Sequence, residues 1–233
     1  MLKTEHIGTS KLDKENWNYK EEWRAARLAK FTSSMIYTLM GESTFTQGAM
    51  TYIYERVGES LTGIPAKQEI DTNATRWGLL HESEAIKRFG TYSQVGFVIT
   101  QCLVTQSGSM FGSTPDCLLI KKSFDDCYEV ETGEVKCYPS YSHYISCALC
   151  NTPEEIKKVD PKLFWQVIDQ MDNCDCLVGY AILYHPDFKF GGFKIIQFKK
   201  IELVKYFKLL RERKALAVEK FNEIRDRLIN MKN

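Results

Sequence analysis

Apolar side chains recur along this chain with two different periods, and the periods predict its secondary structure. Recurrence every three to four positions, as in Met50, Ile53 and Val57, predicts a helix. Predicted helices cover residues 14–40, 46–61, 71–90, 161–172 and 201–231, with loop and short helices over 141–159. Short apolar runs predict strands over 94–105, 110–112, 116–121, 128–138, 177–184 and 193–198, with Gly133 as a candidate bulge. This order indicates an α/β (α+β) fold with a central mixed β-sheet flanked by helices.

Length and charge then limit the class of protein. The chain has 233 residues, of which 44% are hydrophobic, so we expect one domain over residues 1–233. Within it we expect N-terminal helices over 14–63, a core over 71–200 and a C-terminal helix over 201–231. The formal net charge is +1, so any nucleic-acid contact must come from a local basic patch. The polar start and the absence of a long apolar run predict a cytoplasmic protein that does not bind membranes.

The eight cysteines leave a metal site as an alternative to plain thiols. Without an export signal, reduced and buried thiols are expected. Cys147 and Cys150, together with Cys174 and Cys176, could hold zinc or an iron–sulfur cluster. The Cys-x-Cys spacing of the second pair is unusual for zinc, which favours the thiols. No Gly-x-Gly-x-x-Gly or Walker-type loop is present, which argues against nucleotide-driven chemistry.

The candidate chemistry begins with two carboxylates and a lysine in neighbouring predicted strands. Residues two apart on a strand share a face, so Glu134 and Lys136 should project together. A hairpin through residues 123–126 would bring Asp116 to the same place. Such a group suits a divalent cation and a water molecule to be activated. The alternative is an ordinary solvated hairpin with chance charges.

Two other charged positions fit the same interpretation. Glu82 lies in the middle of the apolar face of its predicted helix, where a carboxylate is costly unless an arginine or a metal is near. Arg76 or Arg88 could be that arginine. Arg27 lies on a basic helix side that precedes several hydroxyl side chains, an arrangement that suits a phosphate. The alternative for Arg27 is a solvated helix face.

Five segments in order resemble the PD-(D/E)xK nuclease superfamily, and within it the lambda exonuclease/YqaJ branch of phage recombinases. The segments are Trp23 to Arg27 with Thr32-Ser33-Ser34, Thr75 to Gly78 with Glu82 and Ala85, Gly112 to Asp116, Gly133 to Cys137, and Phe164 to Gln166 with Gln170. Three positions depart from the family pattern. Ser33 occupies the middle position of a triplet that is Thr-Ala-Ser in the family. Cys117 replaces the usual glycine after Pro-Asp, and Tyr138 lies between Lys-Cys and the proline that often follows it directly.

The resemblance implies a restriction-endonuclease-like core and a metal-dependent reaction. It implies a 5′→3′ exonuclease that digests one strand of duplex DNA and leaves a 3′ overhang. Asp116, Glu134 and the Val135 carbonyl would bind Mg²⁺, for which Mn²⁺ could substitute. Glu82 would complete the metal shell directly or through water, and Lys136 would orient or deprotonate the attacking water.

The resemblance also assigns the DNA contacts and the partners. Gln166 would support the nucleophile or the scissile region, while Arg27, with Ser34 and Thr32, would receive the terminal 5′ phosphate. Partners would be double-stranded DNA ends and a single-strand annealing protein. Processive relatives form closed rings, usually trimers, around the DNA, so a homo-oligomer is expected.

Three other functions remain as alternatives at this point. An endonuclease of the same superfamily, acting in restriction or repair, would share the chemistry and differ only in its independence of DNA ends. A non-catalytic DNA-binding module on the same fold is opposed by the intact set of carboxylates and lysine. An iron–sulfur helper nuclease would need a cysteine near the N-terminal helices, whereas the first cysteine here is Cys102.

Overall fold

The computed structural model of the protein describes residues 2–6, 24–41, 44–66, 72–93, 97–99, 102–106, 109–122 and 128–231. The helices are α1 (residues 24–27), α2 (Gln47–Thr62), α3 (Asn73–Ser93), α4 (Tyr141–Ala148), α5 (Pro153–Val159), α6 (Pro161–Asn173) and α7 (Val204–Ile229), with a 3-10 helix at Ser33–Leu39. The strands are β1 (Leu2–His6), β2 (Phe31–Thr32), β3 (Phe97–Ile99), β4 (Cys102–Gln106), β5 (Phe111–Ser113), β6 (Cys117–Lys122), β7 (Tyr128–Lys136), β8 (Val178–Tyr184) and β9 (Phe193–Lys199).

Two sheets of mixed direction confirm the predicted fold class. The larger sheet has the order β3-β6-β7-β8-β9, in which only the β7–β8 pair is parallel. The smaller sheet has the order β1-β4-β5-β2, and its β2–β5 pair is parallel. The predicted hairpin is therefore present as β6 and β7, and its connecting residues 123–126 lie outside the described residues.

Helices cover both faces of the larger sheet because its central strands are apolar on both faces. On one face, Leu119 and Ile182 pack with Phe89 of α3. On the other face, Leu118 and Leu183 belong to the cluster built around α6. Every residue of α6 from Leu163 to Asn173 is buried, so this helix forms the centre of the molecule. Its polar side chains must therefore find partners inside the protein.

The start of α6 is fixed by local sequence. Asp160 is the N-cap, and its Oδ1 accepts a hydrogen bond of 2.9 Å from the Leu163 amide. Pro161 follows at the first helical position, where its missing amide hydrogen costs nothing. These signals set the register that points Gln166 and Gln170, one turn apart, toward the sheet.

Four features differ from the sequence prediction. The apolar run over 94–105, predicted as one strand region, forms β3 and β4, which belong to different sheets. The predicted helix over 14–40 is wrong at Phe31–Thr32, which pairs in parallel with β5, and residues 14–23 lie outside the described part of the chain. Strand β1 was not predicted from the polar start of the chain. Gly133 is not a bulge, because the β6–β7 register runs without interruption through the Cys117–Gly133 pair.

None of the described helices is both long enough and apolar enough to cross a bilayer.

Candidate active site

A cavity of about 250 Å³ opens where the end of β7 meets α3, α6 and the 3-10 helix. Its lining contains all the predicted site residues except Val135 and Lys136, which adjoin it through Glu134. The lining residues are Arg27, Thr32, Ser33, Ser34, Leu79, Glu82, Thr114, Asp116, Glu134, Gln166 and Gln170. Side chains separated by more than one hundred positions in sequence thus share one concave surface.

Glu134 of this cavity accepts hydrogen bonds from three side chains. Its Oε1 accepts hydrogen bonds of 2.6 Å from both Lys136 Nζ and Gln166 Nε2. Its Oε2 accepts a hydrogen bond of 2.5 Å from Gln170 Nε2. Three donors fix the carboxylate, which is only 3% exposed. The predicted alternative of a solvated hairpin is therefore wrong for this residue.

The charges of the cavity act on one another. Burial, and then the negative charge of Asp116, raise the pKa of Glu134. Burial opposes the positive charge of Lys136, but Glu134 and Asp116 outweigh it and raise the pKa of the Lys136 ammonium. In this environment Lys136 keeps its positive charge, and its ammonium can donate a hydrogen bond to a water molecule.

Asp116 and Glu82 bring two more carboxylates to the cavity. Asp116 is 7% exposed, and its Oδ2 accepts a hydrogen bond of 2.8 Å from the Val135 amide. This bond ties the residue before β6 to the end of β7. The Cys137 thiol lies near both carboxylates. Burial, and then the negative charges of Glu82 and Asp116, raise the pKa of this thiol to about 12. Glu82 of α3 thus lies close to the end of β7, as its place on the apolar helix face predicted.

The donor set fits a hard divalent cation. Carboxylates of Glu82, Asp116 and Glu134 are oxygen ligands of the kind that Mg²⁺ and Mn²⁺ prefer. Among the described residues, the buried amide oxygens Gln166 Oε1 and Gln170 Oε1 have no hydrogen-bond partner. Buried polar atoms of this kind are uncommon and call for water or an ion nearby. The residues of the cavity are therefore suited to hold a metal and its water.

The other side of the cavity is formed by one arginine and several hydroxyl side chains. Arg27 Nη1 donates to Thr114 Oγ1 at 3.3 Å. Thr32 Oγ1 lies 3.3 Å from Ser34 Oγ, and the Thr32 amide donates to Tyr52 Oη at 2.8 Å. A guanidinium beside short hydroxyls can bind an anion with several oxygens, such as a phosphate.

Sequence reasoning gave no role to two residues of the site. Gln170 was part of a recognised segment, and its spacing of four residues from Gln166 could have placed it on the same helix face. Thr114 lies directly before the Pro-Asp pair, but only the fold brings Arg27 to it. Arg88, considered as a partner for Glu82, forms its ion pair with Glu84 at 3.0 Å.

The cysteines do not form the metal site considered from the sequence. Cys147, Cys150, Cys174 and Cys176 are buried free thiols. Among the described residues, the group with metal-ligand spacing is instead His143, Cys147 and Asp160, lying within 4.8 Å of one another. The Tyr138 hydroxyl satisfies this group, because it donates to Asp160 at 2.5 Å and also bonds to Cys147, while its ring stacks on His143. We interpret it as a hydrogen-bonded cluster.

Comparison with known proteins agrees with this geometry. The family model described as the YqaJ-like viral recombinase domain matches residues 22–176. Among curated proteins, none is similar enough to count as a match.

Solved structures share the fold. An alkaline exonuclease, LHK-Exo, from Laribacter hongkongensis is 20% identical, with a TM-score of 0.65 over 91% of this chain and 100% of that one. The same enzyme in complex with dAMP gives 21% identity and a TM-score of 0.66 over the same shares. A phage-related exonuclease from Haemophilus somnus 129PT is 15% identical, with a TM-score of 0.59 over 85% of this chain and 96% of that one.

Proposed function

The chain belongs to the family of YqaJ-like viral recombinase domains, and from this premise we propose that it is a Mg²⁺-dependent exonuclease acting on double-stranded DNA. It degrades one strand in the 5′→3′ direction and leaves a 3′ overhang, and residues 1–233 act as a single nuclease domain. One observation carries the proposal. Glu134 is buried and held by Lys136, Gln166 and Gln170 in a cavity that also contains Asp116.

The metal ligands follow from the donor set of the cavity. Asp116, Glu134 and the Val135 carbonyl would hold Mg²⁺ or Mn²⁺, and Glu82 would complete the shell directly or through water. A bound divalent cation supplies a water of lowered pKa and positive charge opposite the phosphate. The protein itself supplies fixed orientation, since Gln166 and Gln170 hold both oxygens of Glu134 in place.

Lys136 acts on the attacking water. Its ammonium, hydrogen-bonded to Glu134, would donate a hydrogen bond to the water and orient it for attack on the phosphodiester. Gln166 reaches the same carboxylate from α6 and supports the region of the scissile phosphate. Hydrolysis would break the bond between phosphorus and the 3′ oxygen of the terminal nucleotide, which leaves with a 3′ hydroxyl, and the attacked phosphate would stay on the new 5′ end of the DNA strand.

The opposite side of the cavity would bind the DNA end. Arg27, together with Thr32 and Ser34, would receive the terminal 5′ phosphate, since a guanidinium donates to two phosphate oxygens at once. This placement gives the enzyme a preference for ends over internal sites. Further partners follow from the family resemblance: a single-strand annealing protein takes the 3′ overhang, and a homo-oligomeric ring, a trimer, encloses the DNA.

A comparison of open and closed DNA tests the activity. With Mg²⁺ we expect a 5′-end-labelled linear duplex to lose its label rapidly, while a covalently closed circle of the same sequence stays intact. A chelator should stop the reaction, and added Mg²⁺ or Mn²⁺ should restore it. Degradation of the closed circle would show an endonuclease instead, and no cleavage of either DNA would leave a DNA-binding module.

Replacing Arg27 by alanine should remove the preference for phosphorylated ends. A hydrogen-bonded charge pair contributes about 1.5–3 kcal/mol, so kcat/KM on a 5′-phosphorylated duplex should fall about 10- to 150-fold. On a duplex with a 5′ hydroxyl the change should be small. The control is Arg225→Ala, since Arg225 pairs with Asp226 at 2.9 Å on α7. Equal losses on both substrates would exclude Arg27 from the phosphate site.

A further inference from the structure

A chain of buried polar contacts lies behind the hydroxyl side of the cavity. Asp169 of α6 is fully buried, and its Oδ2 accepts a hydrogen bond of 2.6 Å from Ser33 Oγ. Its Oδ1 lies 2.5 Å from Lys214 Nζ of α7. We call Ser33, Asp169 and Lys214 the buried relay. The relay joins the 3-10 helix, the central helix and the C-terminal helix through one carboxylate.

Further contacts hold Lys214 and Asp169 in place. Lys214 is 8% exposed, and its Nζ also donates to Asn173 Oδ1 at 2.9 Å. Asn173 Nδ2 in turn donates to Asp169 Oδ2 at 3.1 Å. The Lys214 ammonium lies 4.9 Å from the centre of the Phe111 ring. Asp169 therefore has little freedom to move, and neither does the hydroxyl that it binds.

Stability alone is a weak explanation for such a group. Burial raises the pKa of Asp169, and the positive charge of Lys214 works against that rise. Buried ion pairs can often be replaced by apolar side chains without loss of stability. Position explains the relay better, because Ser33 lies between Thr32 and Ser34, and all three line the cavity. At this position the family pattern has alanine, which cannot form the bond to Asp169.

We infer that Lys214 is a positioning residue for the recognition of the terminal 5′ phosphate. Through Asp169 it fixes Ser33, and Ser33 fixes the backbone that presents the hydroxyls of Thr32 and Ser34. This inference rests on the proposed function, since it assigns a positioning residue to the same phosphate site. It also gives a task to α7, which lies beyond residues 22–176 of the family match.

Asp172 supplies a matched comparison within the same helix. Its Oδ2 accepts a hydrogen bond of 2.9 Å from Lys214, and its Oδ1 accepts one of 2.8 Å from Arg211. Asp172→Asn removes a negative charge from Lys214, yet it leaves the acceptor of Ser33 in place. If the contacts had a purely structural role, changes at Ser33, Lys214 and Asp172 would all act through stability and would leave the preference for phosphorylated ends unchanged.

The test measures the ratio of kcat/KM on 5′-phosphorylated and 5′-hydroxyl duplexes for each variant. Ser33→Ala and Lys214→Met should each lower this ratio about fivefold, the effect of losing about one hydrogen bond. Asp172→Asn should leave the ratio at the wild-type value. A merely structural change lowers both rates together and leaves the ratio intact. Thermal melting shows which variants remain folded.

Several outcomes separate the relay from the proposed function. An unchanged ratio in folded Ser33→Ala, with a discriminating wild-type protein, would overturn the relay alone. Ser33→Ala restores the alanine of the family pattern, so it tests the relay even where Lys214→Met fails to fold. A fall of the ratio in Asp172→Asn equal to that in Lys214→Met would also overturn the relay. A wild-type protein that does not distinguish the two ends would refute the phosphate site and the relay with it.

Discussion

Replacing Lys136 by alanine is expected to lower DNA cleavage by about 10³-fold, the effect typical of losing a positioned acid or base. Lys136 donates to Glu134 Oε1 at 2.6 Å, and alanine removes this ammonium from the carboxylate. DNA binding should change much less, because Arg27 and the hydroxyl group of contacts remain. The measurement is single-turnover cleavage of an end-labelled duplex in saturating Mg²⁺.

Lys121 provides the control for this change. It lies on β6 of the same sheet and forms an equally short ion pair, 2.6 Å to Glu131, outside the cavity. Lys121→Ala should therefore retain cleavage near the wild-type rate at a similar cost in stability. If Lys136→Ala cleaved DNA as fast as Lys121→Ala, the role proposed for Lys136 would be wrong.

A large effect on stability is also expected from a change at Gly133. A Cβ at this position would lie 2.5 Å from Cys117 Sγ and 3.0 Å from Ile182 Cδ1. Both neighbours are completely buried, so they have little room to give way. Overpacking of this kind costs about 1–3 kcal/mol, so Gly133→Ala should lower the free energy of unfolding by that amount. Urea unfolding measures the change, and cleavage should fall as well because Glu134 is the next residue.

Two further variants make the Gly133 prediction specific. Gly58 of α2 has no atom within 4 Å of an added Cβ, so Gly58→Ala should instead stabilise the protein by about 0.5–1 kcal/mol. Cys117→Ala combined with Gly133→Ala should recover much of the lost stability, since it removes the clashing sulfur. A double variant no more stable than Gly133→Ala would locate the strain elsewhere. The pairing also explains how Cys117 replaces the glycine of the family pattern: its partner across the strands is itself a glycine.

Much of the fold followed from periodicity. The predicted helices at 46–61 and 161–172 correspond to α2 and α6 within two residues, because apolar stripes and capping signals are local properties. Strand β2 could not be predicted in the same way. It is two residues long, and its partner Phe111 lies far along the chain, so pairing rather than propensity makes it a strand.

The candidate site was predictable where its residues share one element. The two-residue period of a strand predicts that Glu134 and Lys136 lie on the same face. The position of Glu82 on an apolar helix face marks it as a candidate site residue. The contacts between elements were not predictable. Nothing local indicates that Gln166 and Gln170 donate to Glu134, or that Ser33 reaches Asp169, because tertiary packing alone decides these pairs.

The dependence of Asp169 on Lys214 has a consequence for synthesis of the protein. On the ribosome, the central helix and both strands of the hairpin emerge before α7 exists. Until the C-terminal helix is made, Asp169 lacks its counter-ion, and its burial in the interior is unfavourable. We therefore expect productive folding only once α7 has been synthesised, so a product truncated before α7 should have little nuclease activity.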